Sequence, residues 1–169
     1  EGTPPSRLTL TRPDDWHLHL RDGAALAAVV PATANVFARA IVMPNLKPPV
    51  TTVAAAAAYR DRILAARPPE RQSDFTPLMT LYLTDNTSPD EVKRAKESGF
   101  VHAFKYYPAG ATTNADRGVS KLERAYAALA EMESEDVVLC VHGEVTDSDV
   151  DVFDRERVFV DRELAQIVA

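Results

Sequence analysis

Residues 14–23 read DDWHLHLRDG, which sets His17, His19 and Arg21 at alternate positions with Leu18 and Leu20 between them. In a strand, residues i, i+2 and i+4 share a face, so the two imidazoles and the guanidinium would point one way and the leucines the other. Two neutral imidazoles at this spacing can reach one divalent cation. An arginine just beyond them is placed to grip a carboxylate in a two-pronged way. A pair of hydrogen-bonded core histidines would leave the same short pattern. Three further segments decide between the two. One apolar run ends in Met43-Pro44-Asn45, another in Lys105-Tyr106-Tyr107-Pro108, and a third in Val141-His142-Gly143-Glu144. An amide, a lysine and a third histidine would then join the first pair at one rim, if those runs are parallel strands.

Lys105 is the informative member. It lies inside the apolar run FVHAFKYYP, where a lone ammonium is costly to bury and burial favours the neutral amine. A neutral amine can take up carbon dioxide to give a carbamate, an anion that two cations would stabilise between them. The alternative is that the ammonium tip reaches solvent.

The elements that must position these groups follow a β-α alternation. Strands are expected within 8–20, 38–45, 75–84, 100–108 and 136–145. The first helix is expected from Asp22, as cap, through about Val30, and the second over 51–66. A third is expected after the Ser88–Glu91 capping box with Pro89 at its first position, and a fourth after a second box, Ser120 with Glu123. A last helical segment is expected from about Asp149 into Ala169. Alternating β and α elements predict a parallel sheet. Five units are visible, whereas a complete (β/α)8 barrel needs about 250 residues. The fold class expected is therefore α/β: a TIM barrel after its fifth unit, or an open five-stranded sheet.

The chain has 169 residues, is 46% apolar and 26% charged, and carries a net charge of −6. That suits one sizeable core and offers no basic surface for nucleic acid. The longest alanine run, Ala54–Ala58, is too short to span a membrane. The opening EGTPPSRLTL lacks the apolar stretch of a signal peptide, and a first residue other than Met points to a processed or trimmed start. Cys140 is the single cysteine, so no disulfide can form within the chain and a reducing cytoplasm is expected.

Taken in order, DDWHLHLRDG, IVMPNLKPPVTT, FKYYPAGATTN and LCVHGEVT closely resemble the dihydroorotases of pyrimidine biosynthesis, specifically the shorter, bacterial-type class of the amidohydrolase superfamily. The resemblance runs from about Leu8 to the end of the chain. It implies that residues 1–169 are the N-terminal part of a single metal-dependent hydrolase barrel. It implies two zinc ions: His17 and His19 on one, His142 on the other, and a carboxylated Lys105 bridging both. It implies that Arg21 and Asn45 hold the substrate carboxylate, and that 108–118 is a mobile loop whose Thr112 and Thr113 bind substrate on closing. The activity implied is interconversion of dihydroorotate and N-carbamoyl-L-aspartate, in a cytoplasmic homodimer, with a hydroxide shared by the metals attacking the ring amide carbonyl.

The family also uses a later zinc-ligating histidine and a proton-shuttling aspartate, and no position here matches either. His102 has the opposite parity to Lys105 and is expected to face the helices. Asp15, Asp22 and Glu144 lie near the rim without matching a catalytic position, and Cys140 is read as core packing. The 169 residues alone are therefore expected to be inactive and to need a missing C-terminal half as partner. The alternative function is a truncated chain that serves only in binding or assembly.

Overall fold

The computed structural model describes Arg7, residues 9–71 and residues 74–168. Leu8 and Ala169, the two limits of the expected pattern, lie outside the described residues. Five strands form one sheet: β1 (Asp14–Leu18), β2 (Arg39–Val42), β3 (Thr76–Tyr82), β4 (Val101–Tyr106) and β5 (Val138–Val141). Each pairs in parallel with the next, in the order β1-β2-β3-β4-β5. A doubly wound open sheet reverses its strand order at a switch point. This one never does, and it curls as part of a barrel.

The helices are α1 (Gly23–Val36), α2 (Val53–Ala65), α3 (Pro89–Ser98) and α4 (Tyr126–Ser134). Asp22 starts α1 by accepting from the Gly23 N–H at 2.9 Å, and Thr52 and Ser88 cap α2 and α3 in the same way. Their inner stripes, Val30 and Ala34, Tyr59 and Ile63, Val92 and Ala95, are buried against Ala40, Val42, Leu81 and Phe104 of the strands. Burying each larger side chain contributes about 1.5–3 kcal/mol. The alternate residues Ile41 and Met43 stand outside that cluster, as side chains of the opposite sheet face must.

Four expectations need correcting. Helix α1 does not stop near Val30 but passes through Pro31 to Val36. Pro31 removes one helical hydrogen bond, and the burial of Thr33 and Ala34 beyond it keeps the helix going. The Ser120–Glu123 box does not form. Ser120 instead donates its hydroxyl to Asp85 at 2.6 Å, a 3-10 turn covers Leu122–Ala125, and α4 begins only at Tyr126. The last segment is helical only from Arg155: α5 (Arg155–Phe159), a π turn over Val160–Leu164, and α6 (Ala165–Ile167). Finally, His102 is exposed instead of packed under a helix. The β3–β4 register slips between the pairs Met79–Val101 and Thr80–Ala103, which leaves His102 as the extra residue of a bulge. A bulge breaks the two-residue alternation on which the parity assignment depended.

Candidate active site

Strand β1 ends at Leu18, and its register against β2 slips between Asp15 and Leu18. His17 and His19 nonetheless share a face. Their Nε2 atoms lie 3.1 Å apart and their ring centroids 5.1 Å. Asn45, three residues beyond β2 and buried, places Oδ1 2.8 Å from His19 Nδ1. Asp15 accepts from the His17 N–H at 3.0 Å and so braces the strand end rather than the site.

Across the sheet, Lys105 stands on β4 with only 2% of its surface exposed. Its ammonium donates to the Val141 carbonyl at 2.7 Å and lies 5.3 Å from the centre of the Tyr107 ring. Burial holds the Lys105 pKa below the usual lysine value, as a charge without a counter-ion requires. The alternative reading, an ammonium tip that reaches solvent, is not observed. The His142 main chain is tied by its N–H to the Tyr106 carbonyl at 2.9 Å. Its Nε2 is buried with no hydrogen-bond partner among the described residues; a Glu144 carboxylate oxygen is 3.8 Å away. Cys140 pairs with Lys105 in the β4–β5 register, is half-buried, and has its thiol pKa pushed up by burial.

The two sides act on one another. Burial lowers the pKa of His17, and the Lys105 ammonium and His142 lower it further, with Asp15 opposing. His19 is lowered by burial first and then by the Arg21 charge, and His142 by burial and then Lys105, against Glu144. The Lys105 charge thus acts on all three histidines. Arg21 sits just past β1 with a left-handed φ of 59°, a backbone setting that costs a non-glycine residue about 1 kcal/mol or more. The Tyr59 hydroxyl steadies it by donating to the Arg21 carbonyl at 2.6 Å. The Arg21 guanidinium is exposed and has no side-chain hydrogen bond among the described residues. Asp22, in contrast, is committed to Arg62 at 2.7 Å.

Loop 108–119 closes over the Asn45 side of the rim. Its neck is zipped by Val119 N–H to the Tyr107 carbonyl at 2.8 Å and Ala109 N–H to the Val119 carbonyl at 3.1 Å. Thr113 reaches the site through its carbonyl, which accepts from Asn45 Nδ2 at 3.1 Å. The side chains of Thr112 and Thr113 are exposed. Three groups here were not singled out in the sequence. Tyr107 is fully buried, its hydroxyl without a partner among the described residues and its ring centre 5.3 Å from the Lys105 ammonium and 6.0 Å from the His142 ring centre. Asn114 and Tyr82 bond the loop to the rim. The odd parity of Tyr107 with Lys105 was a usable signal; nothing local pointed to the other two.

Among the described residues no three His, Cys, Asp or Glu side chains form a ready cation cage. The donors present nevertheless suit divalent cations. Two nitrogens bound to one tetrahedral cation lie about 3.3 Å apart, close to the His17–His19 separation, and His142 offers a buried ring nitrogen with no other use. Polar groups gathered at the C-terminal ends of sequentially ordered parallel strands define a β/α-barrel enzyme architecture.

The chain belongs to the amidohydrolase family, whose profile matches residues 14–167. It is 65% identical over 162 residues to a dihydroorotase of Microcystis aeruginosa, covering 96% of this chain and 46% of that protein. It is 68% identical over 156 residues to a dihydroorotase of Cupriavidus metallidurans, covering 92% and 45%. Among solved structures, the dihydroorotase of Campylobacter jejuni superposes with a TM-score of 0.80 at 38% identity, over 92% of this chain and 44% of that one. The Saccharomyces cerevisiae dihydroorotase in complex with 5-fluoroorotic acid gives 0.78 at 32% identity, over 88% and 42%. The chain thus spans about half the length of the relatives it matches. No helix among the described residues is long and apolar enough to cross a membrane.

Proposed function

We propose that residues 1–169 are the first part of a longer metal-dependent barrel domain, and that the whole protein interconverts dihydroorotate and N-carbamoyl-L-aspartate in pyrimidine biosynthesis. The observation that carries this reading is the rim itself: a buried, nearly uncompensated Lys105 facing a histidine pair and the orphaned His142 nitrogen. In support, β1 and β5 each have one strand neighbour among the described residues. Trp16 and Val138 are 61% and 58% exposed, and an apolar groove of about 550 Å³ runs past Leu129, Leu139 and Ile167. Further strands and helices would cover these.

In this reading His17 and His19 would hold one zinc ion and His142 a second, and Lys105, once carboxylated, would supply an anionic ligand to both. Bound there, the two ions would activate water and polarise the amide carbonyl. The chain's own residues do the rest. Arg21 offers a free guanidinium to the substrate carboxylate, and Asn45 keeps one N–H beyond the one given to Thr113. Thr112 and Thr113 lie on the loop that would close over the ring. Tyr107 excludes water beside Lys105. Within the 169 residues the second cation has only Lys105 and His142, short of the three protein ligands typical of catalytic zinc, so the chain alone is inactive or serves only in assembly. A cytoplasmic homodimer completes the proposal.

The test uses the full-length protein. Dihydroorotate hydrolysis and carbamoyl aspartate cyclisation should both proceed, stop on chelation and return with zinc, while residues 1–169 alone turn over neither. A zinc-loaded full-length protein inert in both directions would end the proposal.

A further inference from the structure

Asn45 stands between the loop and His19, and its two ends are not interchangeable. The Thr113 carbonyl can only accept, so the atom 3.1 Å from it is the amide nitrogen. The amide oxygen therefore faces His19 Nδ1 at 2.8 Å, and because that oxygen only accepts, Nδ1 carries the proton. His19 Nε2 is left with its lone pair, pointing at His17. The loop main chain thus sets, through one side-chain amide, which nitrogen of His19 is free for a cation.

The loop is itself held in place from the far side. Asn114 Nδ2 donates to the Asn45 carbonyl at 2.9 Å, and the Tyr82 hydroxyl donates to the Asn114 carbonyl at 3.1 Å. Tyr82, Tyr107 and Ala115 form a small buried cluster of their own, the two rings 5.0 Å apart. Burial pushes the Tyr82 hydroxyl up to about 12, so it stays a donor. Asn114 takes a left-handed φ of 58°, which asparagine tolerates better than most residues and which turns the chain back onto Asn45.

We infer that the loop is part of the cation site, and that Tyr82 and Asn114 are positioning residues acting on His19 through Asn45. With the loop seated, His19 is locked with Nε2 ready for metal. With the loop lifted, the Asn45 amide is free to rotate, His19 loses its fixed tautomer, and an Asn45 N–H is released for an incoming carboxylate. Metal affinity and loop position are then linked, and each must favour the other by the same factor. This rests on His19 holding a cation, but not on which cyclic amide the protein acts on.

The experiment uses the full-length protein and three variants. Asn114→Gly keeps the left-handed backbone and deletes the amide; Tyr82→Phe deletes one hydroxyl; Arg117→Ala alters an exposed loop residue outside the network. Three readouts need no turnover: amide exchange over 109–119, zinc affinity by chelator competition, and the His19 tautomer in metal-free protein by nitrogen NMR. Asn114→Gly and Tyr82→Phe should each speed loop exchange about tenfold, weaken zinc binding about 10-fold, the lower end for loss of a partner behind a metal ligand, and give mixed His19 tautomers. Arg117→Ala should leave all three unchanged. Faster loop exchange with unchanged zinc affinity and a single tautomer would overturn the inference, as would no change in any readout. A protein inert toward dihydroorotate that still shows the linked changes would sink the functional proposal and leave this one standing.

Discussion

The two sides of the rim are built differently. On the β1–β2 side the two histidines and Asn45 already have protein partners: His19 has Asn45, Asn45 has Thr113 and Asn114, and the histidine nitrogens face each other at 3.1 Å. On the β4–β5 side the groups are held in reserve. Lys105 has one carbonyl, while His142 Nε2 and the Tyr107 hydroxyl have no partner despite burial. Buried polar groups without partners cost about 1–3 kcal/mol each, so the second side carries a local cost that a ligand would relieve, whereas the first carries less of it. In the proposed reading the first side fixes where a cation would enter, and the second would be completed by it.

The largest break in that contrast should come from Lys105. In the full-length protein, Lys105→Met keeps the bulk and removes the amine proposed to bridge the cations. Metal analysis should fall from two zinc ions toward one, and activity should drop about 10³-fold or more, given that a cation contributes several kcal/mol of charge stabilisation. Two tightly held ions in the variant would mean that the reserve side has another bridge.

Next comes the loop neck. A Cβ on Gly118 would lie 2.3 Å from the Tyr107 carbonyl oxygen, a backbone atom that cannot swing aside. Gly118→Ala should therefore unseat the loop at a cost of about 1–3 kcal/mol, typical of forced overpacking. Proteolysis between Ala109 and Val119 should become roughly 10–100-fold faster, while the melting of the β sheet moves little. An unchanged cleavage rate would show that the neck can give.

How far these two regions were legible follows from the distances involved. The alternation His17-Leu18-His19 and the ends of the apolar runs are local signals, and they placed His17, His19, Asn45, Lys105 and His142 on one rim. The partners that complete the first side come from far along the chain: Asn114 and Thr113 lie 69 and 68 residues from Asn45. No window of sequence carries such a contact. The same holds for the failures. Ser120 and Glu123 make a sound capping box in isolation, but Asp85, 35 residues away, takes the serine hydroxyl. His102 was assigned by parity, and parity does not survive a bulge, which shows only in the pairing with the neighbouring strand.

Arg21 sharpens the comparison from outside both networks. Its guanidinium is unbound while its backbone is held left-handed by Tyr59, so it is spent on neither side. Arg21→Met should leave zinc content intact and raise KM for dihydroorotate about 10–100-fold, the range for losing a charge-assisted pair of hydrogen bonds worth about 1.5–3 kcal/mol. Loss of zinc in that variant would place Arg21 within the metal-holding network instead.

Acid should separate metal-free from metal-bound protein. Burial is the first cause of the lowered pKa of His17, His19 and His142. Each is therefore neutral at pH 7 and offers its lone pair without first losing a proton. Zinc affinity should hold to lower pH than ordinary histidines would allow, then decline once pH falls below the depressed values. In the metal-free protein the sign is the same. The unfolded chain takes up protons below about 6.5 while the folded histidines do not. Stability is thus full above that pH and is lost as pH falls through the folded values. Urea titrations at pH 7.5, 6.0 and 5.0 read this directly, and rising stability on acidification would contradict it.

The smallest effect tests the reserve side most directly. Tyr107→Phe deletes a buried hydroxyl that has no partner among the described residues and leaves the ring beside Lys105 and His142. If that oxygen is an unmet cost in the ligand-free protein, removing it should stabilise the metal-free form by roughly 1 kcal/mol. The gain should vanish, or reverse, once metal and a substrate analogue are bound and the hydroxyl finds an oxygen to donate to. The contrasting change is Tyr82→Phe, which deletes a hydroxyl of similar burial that does have a partner, and should destabilise in both states. Thermal melts of the two variants, with and without ligand, make a four-way comparison. Equal behaviour of Tyr107→Phe and Tyr82→Phe would erase the distinction between a side that is already satisfied and a side that waits.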